Sequence, residues 1–220
     1  MNQVAQTFIA ISTLVMASAG PGMALGAEVS FDGLVPIEGA DVAMAYIDPE
    51  ADFSVFKRVV ILEPAVAFRS NWQRDQNRSR SRNVRTADME RIQADVAALF
   101  TAVFTERLEA GGFEVVDVAG DDVLALRPAI IDLDVSAPDT RTAGRSRTHT
   151  ASTGAATLYI QLFDSVTGDI LGRAADRRAA RSAGGTLTWN NRVTNTAEAR
   201  RLFIRWGDQL VNFLNQHYLK

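Results

Sequence analysis

Two long stretches of the chain, about 86–110 and 195–218, carry apolar residues at near-helical spacing. The apolar stripe of the first stretch comprises Met89, Ile92, Val96, Leu99, Val103 and Leu108. The stripe of the second comprises Leu202, Phe203, Trp206, Leu210, Phe213 and Leu214. This spacing predicts two amphipathic helices. We expect Thr86 and Asn195 to be their N-caps, and Gly111-Gly112 to end the first helix.

Several shorter stretches have the composition of β-strands. Residues 57–63 (KRVVILE) form a β-branched apolar run that ends at Pro64, which predicts a buried strand. Residues 113–118 (FEVVDV) predict a second strand, parallel to the first because the intervening helix makes a right-handed crossover. A turn is expected at 119–127, and residues 128–136 then alternate between apolar and acidic side chains. That alternation predicts a third strand with one covered and one solvated face.

The strongest local pattern predicts a β-hairpin. Residues 156–163 and 169–181 are strand-like, and the DSVTG segment from Asp164 to Gly168 joins them. Asp164 is typical of a turn, and Gly168 can adopt the positive φ that such a turn requires. The order of predicted elements along the chain is therefore β-α-β-β-β-β-α.

This order predicts an α+β fold, with a mixed β-sheet and the two long amphipathic helices packed on one face. We expect a single domain at 57–220. An extended N-terminal segment is expected at 28–56, since that stretch is acidic and rich in turn residues.

The N-terminal 27 residues have the layout of a secretory signal peptide. An apolar or small run at 8–19 is too short to span a bilayer, Gly20-Pro21-Gly22 breaks it, and small residues follow to Ala27. Cleavage is expected after Ala27, with Ala19 as a rival site. The alternative is an ordinary buried N-terminal helix. The preferred interpretation predicts export to the periplasm.

Composition excludes several kinds of chemistry. The 220 residues include no cysteine, which excludes disulfides, thiolate metal sites, a cysteine nucleophile and a lipid-modified cysteine. Two histidines cannot form a His-rich metal site. The net charge of −3 argues against a protein-wide attraction to nucleic acid. No later apolar run approaches 18 residues, so we expect no transmembrane span in the mature chain.

Five segments resemble the bacterial envelope family called domain of unknown function 3313. They are FKRVVILEPAVAF (56–68), RIQADVAALFTAVFTERL (91–108), FEVVDVAGDDVLALRPAIIDLDV (113–135), ATLYIQLFDSVTGDILGRAADRR (156–178) and RRLFIRWGDQLVNFL (200–214). The most specific motif is DSVTGDIL at 164–171, followed by Arg173, Asp176 and Arg177. The resemblance covers about residues 31–218 and implies this fold and an envelope location, with no catalytic residues. Many members of the family are thought to be lipoproteins. This chain has no cysteine to lipidate, so the resemblance implies a periplasmic protein without a lipid tether.

Nine arginines form the first candidate site. They lie in two polar loops, predicted at 69–85 and about 138–152, and comprise Arg69, Arg74, Arg78, Arg80, Arg82, Arg85, Arg141, Arg145 and Arg147. If both loops open at the same sheet edge, the guanidinium groups would bind an anionic lipid or glycan. Trp72 would then add an apolar anchor. The alternative is a flexible, solvated loop.

The predicted hairpin and the charges after it form the second candidate site, comprising Asp164, Thr167, Gly168, Asp169, Arg173, Asp176 and Arg177. These residues would form either a recognition surface or a buried ion-pair network. The structural alternative is a turn followed by charges that alternate outward along a strand. We favour the structural interpretation, because turn chemistry accounts for Asp164 and Gly168 without a ligand.

The third candidate is a pair of carboxylates. The alternation at 128–136 places Asp132 and Asp134 on one strand face and Ile131, Leu133 and Val135 on the other. Some glycosidase and metal sites have such a pair, although the solvated face of a sheet is the commoner explanation. The chain has no G-x-S-x-G motif and no Gly-rich phosphate loop. We therefore predict no catalytic, cofactor-binding or metal-binding residues.

These patterns favour an exported, periplasmic cell-envelope protein that binds rather than catalyses. The preferred hypothesis is an accessory module that engages an envelope protein partner. The first alternative is binding of anionic lipid or glycan through the arginine-rich loops. A hydrolase of envelope polymers is a distant alternative.

Overall fold

The computed structural model describes residues 32–78, 83–135, 155–179 and 192–218. The predicted signal peptide at 1–27 lies outside these ranges. The helices are α1 (Trp72–Arg78), α2 (Thr86–Ala110) and α3 (Arg192–Tyr218), with a 3-10 turn at Phe53–Val55. The strands are β1 (Val35–Pro36), β2 (Met44–Ile47), β3 (Arg58–Ile61), β4 (Ala65–Phe68), β5 (Glu114–Val116), β6 (Val123–Asp134), β7 (Ala155–Asp164) and β8 (Ile170–Ala179).

The described strands form one mixed sheet in the order β1-β2-β8-β7-β6-β3-β5, and β4 pairs with β6 beside β3. β6, β7 and β8 are antiparallel neighbours, as the sequence predicts. β3 lies parallel to both β5 and β6, so the two strands joined by the α2 crossover are direct neighbours. The α+β prediction with a mixed sheet is confirmed.

Both long helices pack on the same face of this sheet. The core contains Phe100, Val103, Phe104 and Leu108 of α2, Phe203, Trp206, Leu210 and Leu214 of α3, and alternate residues of β6 and β7. We call the covered side the inner face and the opposite side the outer face. The bounds predicted for α2 are confirmed, and Gly112 follows it with a φ of 92°. Both N-cap predictions are wrong, because Arg85 occupies the cap position of α2 and α3 begins at Arg192, before Asn195.

The structure adds detail to three sequence predictions. Within 28–56, residues 35–47 include β1 and β2, which extend the sheet beyond β8. β6 begins at Val123, inside the predicted turn at 119–127. The polar loop predicted at 69–85 contains α1, and β4 precedes it as a separate short strand. β2, β4 and the start of β6 depend on pairing with a distant strand, whereas α1 is a local helix.

A β-bulge in β6 changes which side chains face the core. The register shifts by one residue near Asp132 in the pairing of β6 with both β7 and β4. Asp132 has a φ of 52°, a conformation that Asp adopts more readily than most residues. Ile131 is consequently 39% exposed and Leu133 only 4%. The prediction that Ile131 and Leu133 share one face is wrong for this reason.

A buried carboxylate links the sheet to α3. Asp176 is 6% exposed and lies on the inner face of β8, opposite Leu158 of β7. The Trp206 Nε1–H donates a 2.8 Å hydrogen bond to Asp176 Oδ2, and Arg178 also donates to this oxygen. The prediction that charges after the hairpin alternate outward is wrong for Asp176. A buried carboxylate requires such partners, because an unpaired buried charge is strongly unfavourable.

We expect Trp206→Phe to lower the free energy of unfolding by about 2 kcal/mol, because a buried carboxylate loses a donor. Trp72→Phe is the matched control, since the Trp72 Nε1–H donates a 2.7 Å hydrogen bond to a neutral acceptor, the Val135 carbonyl. Its expected cost is about 1 kcal/mol. Urea denaturation of both variants tests the difference, and equal losses would contradict the role given to Asp176.

Candidate functional site

The candidate site is the edge of β4, a strand of four residues that pairs in the described part of the chain with β6 alone. The other two edge strands of the described sheet are shorter, with two residues in β1 and three in β5. An unpaired strand edge presents N–H and C=O groups that another strand can bind. Of the three described strands that have a single strand partner, β4 is therefore the longest.

The side chains of β4 itself do not cover this edge. Val66 and Phe68 point toward the core, whereas Ala65 and Ala67 are exposed and too small to obstruct an approaching backbone. Gln93 of α2 donates a 2.6 Å hydrogen bond from Nε2 to the Val66 carbonyl. α2 thus already provides one donor where an added strand would provide a backbone N–H.

An open cleft of about 480 Å³ borders the edge of β4. Its lining comprises Ala67, Phe68, Arg69, Asn71, Trp72, Gln73, Arg74, Met89 and Gln93. Trp72 is 1% exposed, and its ring stacks on Phe68 at a centroid distance of 4.0 Å. Trp72 therefore forms the floor of the cleft, and it is too buried to project from the protein as the apolar anchor that the sequence suggested.

Local hydrogen bonds hold the short helix beside the cleft. Asn71 has a φ of 62°, which turns the chain from β4 into α1. The side chain of Asn77 accepts a 2.6 Å hydrogen bond from the Val84 N–H, and Gln73 donates a 3.0 Å bond to the Val84 carbonyl. Polar residues of α1 thus fix the start of α2 relative to the cleft.

Arg69 is neutralised by two carboxylates at the wall of the cleft. Its guanidinium lies 2.8 Å from Asp75 and 2.9 Å from Asp134. The hydrogen bond from Arg69 holds the pKa of Asp75 below its usual value, and the same contact raises the pKa of Arg69. Arg74 lies 3.7 Å from Asp75 and its side chain is 60% exposed. Arg74 is therefore the accessible cation among the residues that line the cleft.

The structure describes only part of the predicted arginine site. Arg69 and Arg74 line the cleft, Arg78 ends α1, and Arg85 precedes α2. The other five predicted arginines lie outside the described residues, namely Arg80, Arg82, Arg141, Arg145 and Arg147. The expected meeting of two arginine loops therefore stays a prediction.

The hairpin motif has a structural explanation in its turn. Asp164 Oδ1 accepts hydrogen bonds of 2.8 and 3.0 Å from the N–H groups of Val166 and Thr167. Gly168 has a φ of 76°. Thr167 Oγ1 accepts a 3.2 Å bond from the Asp169 N–H. These contacts account for the DSVTGD sequence.

The charges that follow the hairpin lie on opposite faces of the sheet. Arg173 pairs with Asp32 at 2.8 Å and Arg177 with Asp132 at 3.4 Å, both on the outer face. Asp176 lies on the inner face under α3. The structure therefore does not bring these three residues into one site.

Asp132 and Asp134 bind different arginines. Asp132 pairs with Arg177 across β7, whereas Asp134 pairs with Arg69 beside the cleft. Each carboxylate thus has its own counter-ion. Within the described ranges, no group of three or more His, Cys, Asp or Glu residues is arranged to hold a metal ion. None of the helices within those ranges combines the length and apolar character needed to cross a bilayer.

A family model described as protein of unknown function (DUF3313) matches residues 26–210. The chain belongs to this family. The match confirms the resemblance that five segments of the sequence indicate. No curated protein matches the chain.

Solved structures with a similar arrangement come from several bacteria. A PelC dodecamer from Paraburkholderia phytofirmans is 12% identical, with 71% of this chain and 87% of that chain covered and a TM-score of 0.37. A family DUF330 protein from Xanthomonas campestris is 11% identical, with 73% and 84% covered and a TM-score of 0.38. A minor lipoprotein from Acinetobacter baumannii is 8% identical, with 72% and 91% covered and a TM-score of 0.32.

β4 and its edge are the features that sequence reasoning missed. The signal was only the four residues AVAF after Pro64, which are too few to show a period. Their pairing depends on Ala129, Ile130 and Leu133 of β6, more than 60 positions away.

We expect Asp75→Asn to lower the free energy of unfolding at pH 7. The folded pKa of Asp75 is depressed by Arg69, so its contribution is present above the unfolded pKa of about 4. That contribution is lost as pH falls through the lower folded pKa. The difference in free energy of unfolding between the variant and the parent should therefore become smaller below about pH 4. Urea denaturation at several pH values measures this difference.

Asp95→Asn is the control, because Asp95 is exposed on α2 and has no ion pair within the described ranges. It should change stability little at any pH. A gap for Asp75→Asn that stays constant from neutral to acid pH would contradict the ion-pair explanation.

Proposed function

We propose that this chain is an exported, non-catalytic binding module of the cell envelope. Its partner is a protein that adds an extended segment to the free edge of β4. The unpaired edge beside the cleft is the observation that carries the proposal. Export is supported by the signal-like pattern of residues 1–27 and by the envelope character of the resemblance.

Backbone hydrogen bonds would supply the affinity of strand addition, and alternate side chains its specificity. One set of partner side chains would enter the cleft over Phe68 and Trp72, where apolar groups are favoured. The accessible charge of Arg74 favours an acidic residue at the mouth of the cleft. The expected partner segment therefore alternates apolar and polar residues and includes a carboxylate.

The two alternatives have less support from the described residues. Binding of anionic lipid or glycan at the arginine loops needs unpaired guanidiniums, whereas Arg69 is held by two carboxylates. A hydrolase that uses Asp132 and Asp134 needs them to act together, whereas each pairs with a separate arginine. Docking at the edge of β4 breaks none of these ion pairs, although an added strand must displace the Gln93 amide from the Val66 carbonyl.

A photo-crosslinking residue at position 67 tests the proposal in intact cells. We expect one dominant protein adduct from this position, because the exposed Ala67 side chain borders the docking edge. The same crosslinker at Ala98, an exposed position on α2, is the control and should give no such adduct. Fractionation should place the protein in the periplasm, shorter by the predicted 27 residues.

Ala65→Lys should abolish the adduct, because a lysine on an edge strand opposes pairing with another strand. Ala98→Lys adds the same charge to α2 and should leave the adduct unchanged. Equal adducts from positions 67 and 98, or an adduct that survives Ala65→Lys, would contradict docking at β4. Retention of the full-length chain in the cytoplasm would contradict export.

A further inference from the structure

Arg127 is an exposed cation on β6, the strand between the parallel and antiparallel parts of the sheet. Its neighbours Leu126 and Pro128 are buried, so Arg127 points to the outer face, away from the helices. Its guanidinium carbon lies 5.0 Å from the centroid of the Phe163 ring. Within the described ranges, Arg127 has no carboxylate partner, in contrast to Arg58, Arg69 and Arg173.

The surroundings of Arg127 are aromatic and polar. Gln161 of β7 is its cross-strand partner, and Tyr159 pairs with Ala129 two positions along the same face. Tyr159, Gln161 and Phe163 are all partly exposed. Diagonal neighbours on a sheet face lie within reach of long and aromatic side chains. We call this cluster of Arg127, Tyr159, Gln161 and Phe163 the Arg127 cluster.

A second arginine on the same face shows what such a group binds. The guanidinium carbon of Arg173 lies over the Tyr46 ring, 5.0 Å from its centroid, which is the distance between Arg127 and the Phe163 ring. The guanidinium of Arg173 holds the carboxylate of Asp32 at 2.8 Å. An arginine stacked on an aromatic ring of this outer face is thus already a carboxylate site within the chain. Arg127 repeats the arrangement without an internal carboxylate in the described part of the chain.

We propose that the Arg127 cluster binds a carboxylate-bearing sugar ring of an acidic glycan. The planar guanidinium, held against Phe163, would donate paired hydrogen bonds to the carboxylate. The Gln161 amide would bind hydroxyl groups, and the Tyr159 ring would contact the C–H surface of the sugar. One cation suits a singly charged carboxylate better than a more highly charged phosphate cluster.

An open sheet face also suits a polymer better than an enclosed small molecule, because binding pockets for small ligands are usually concave. The Arg127 cluster is separate from the edge of β4, so this inference does not rest on the proposed protein partner. A lipid surface and a protein partner are alternative outcomes of the experiment.

Isothermal titration calorimetry of the purified protein with oligogalacturonate tests the inference. We expect saturable binding that weakens by about tenfold or more in Arg127→Gln, the loss of a charge-assisted hydrogen bond. Arg177→Gln is the matched control, because Arg177 is another exposed outer-face arginine but is paired with Asp132. Its affinity should stay within about twofold of the parent. The methyl-esterified oligosaccharide should bind as weakly as Arg127→Gln does to the acid.

Equal losses in Arg127→Gln and Arg177→Gln would show general charge attraction and overturn the inference. Equal affinity for the acid and its methyl ester would overturn it too. The inference would also be overturned if the protein bound phosphatidylglycerol vesicles or a protein segment but did not bind oligogalacturonate. Ala65→Lys should leave oligogalacturonate binding unchanged, which separates this test from that of the β4 edge.

Discussion

β6 forms backbone hydrogen bonds with an antiparallel strand on one side and with parallel strands on the other. The rest of the structure depends on how its 12 residues pair with both. β7 runs antiparallel on one side, while β3 and β4 run parallel on the other. The bulge at Asp132 shifts both ladders together, so Leu133 still faces the core. Without that shift, the side chains after Ile131 would exchange faces. The end of β4 and the cleft beside it are therefore positioned by one extra residue.

Local patterns predicted the parts of the fold that local physics determines. The apolar stripe of α2 and the glycines after it lie in one continuous stretch of sequence, so the extent of this helix follows from a local pattern. The hairpin turn likewise rests on Asp164 and Gly168, whose contacts are within five residues. β1, β2 and β4 have two to four residues each and exist through pairing with distant strands. Strands of two to four residues contain at most two repeats of the two-residue strand period, which are too few for periodicity to reveal.

The candidate sites were less predictable, because the sequence does not show which charged side chains are exposed and which are paired with an opposite charge. Arg69 stood among nine candidate anion-binding arginines, yet two carboxylates, one of them 65 positions away, neutralise it. Arg127 was not among them, and it is exposed without such a partner in the described part of the chain. Asp176 looked like an outward charge because its strand has no apolar alternation around it. Only the packing of α3 over β8 makes it a buried group.

The Asp176–Trp206 contact also constrains how the family can diverge. A carboxylate under a helix is tolerated only with its donors, so losing the indole alone leaves a buried acceptor short of a partner. Replacing the carboxylate alone removes the acceptor of a buried indole N–H. We therefore expect the residues at positions 176 and 206, which are 30 residues apart, to change together when either changes. A homologue in which only one of the two residues has changed should have a lower free energy of unfolding than one in which both have changed.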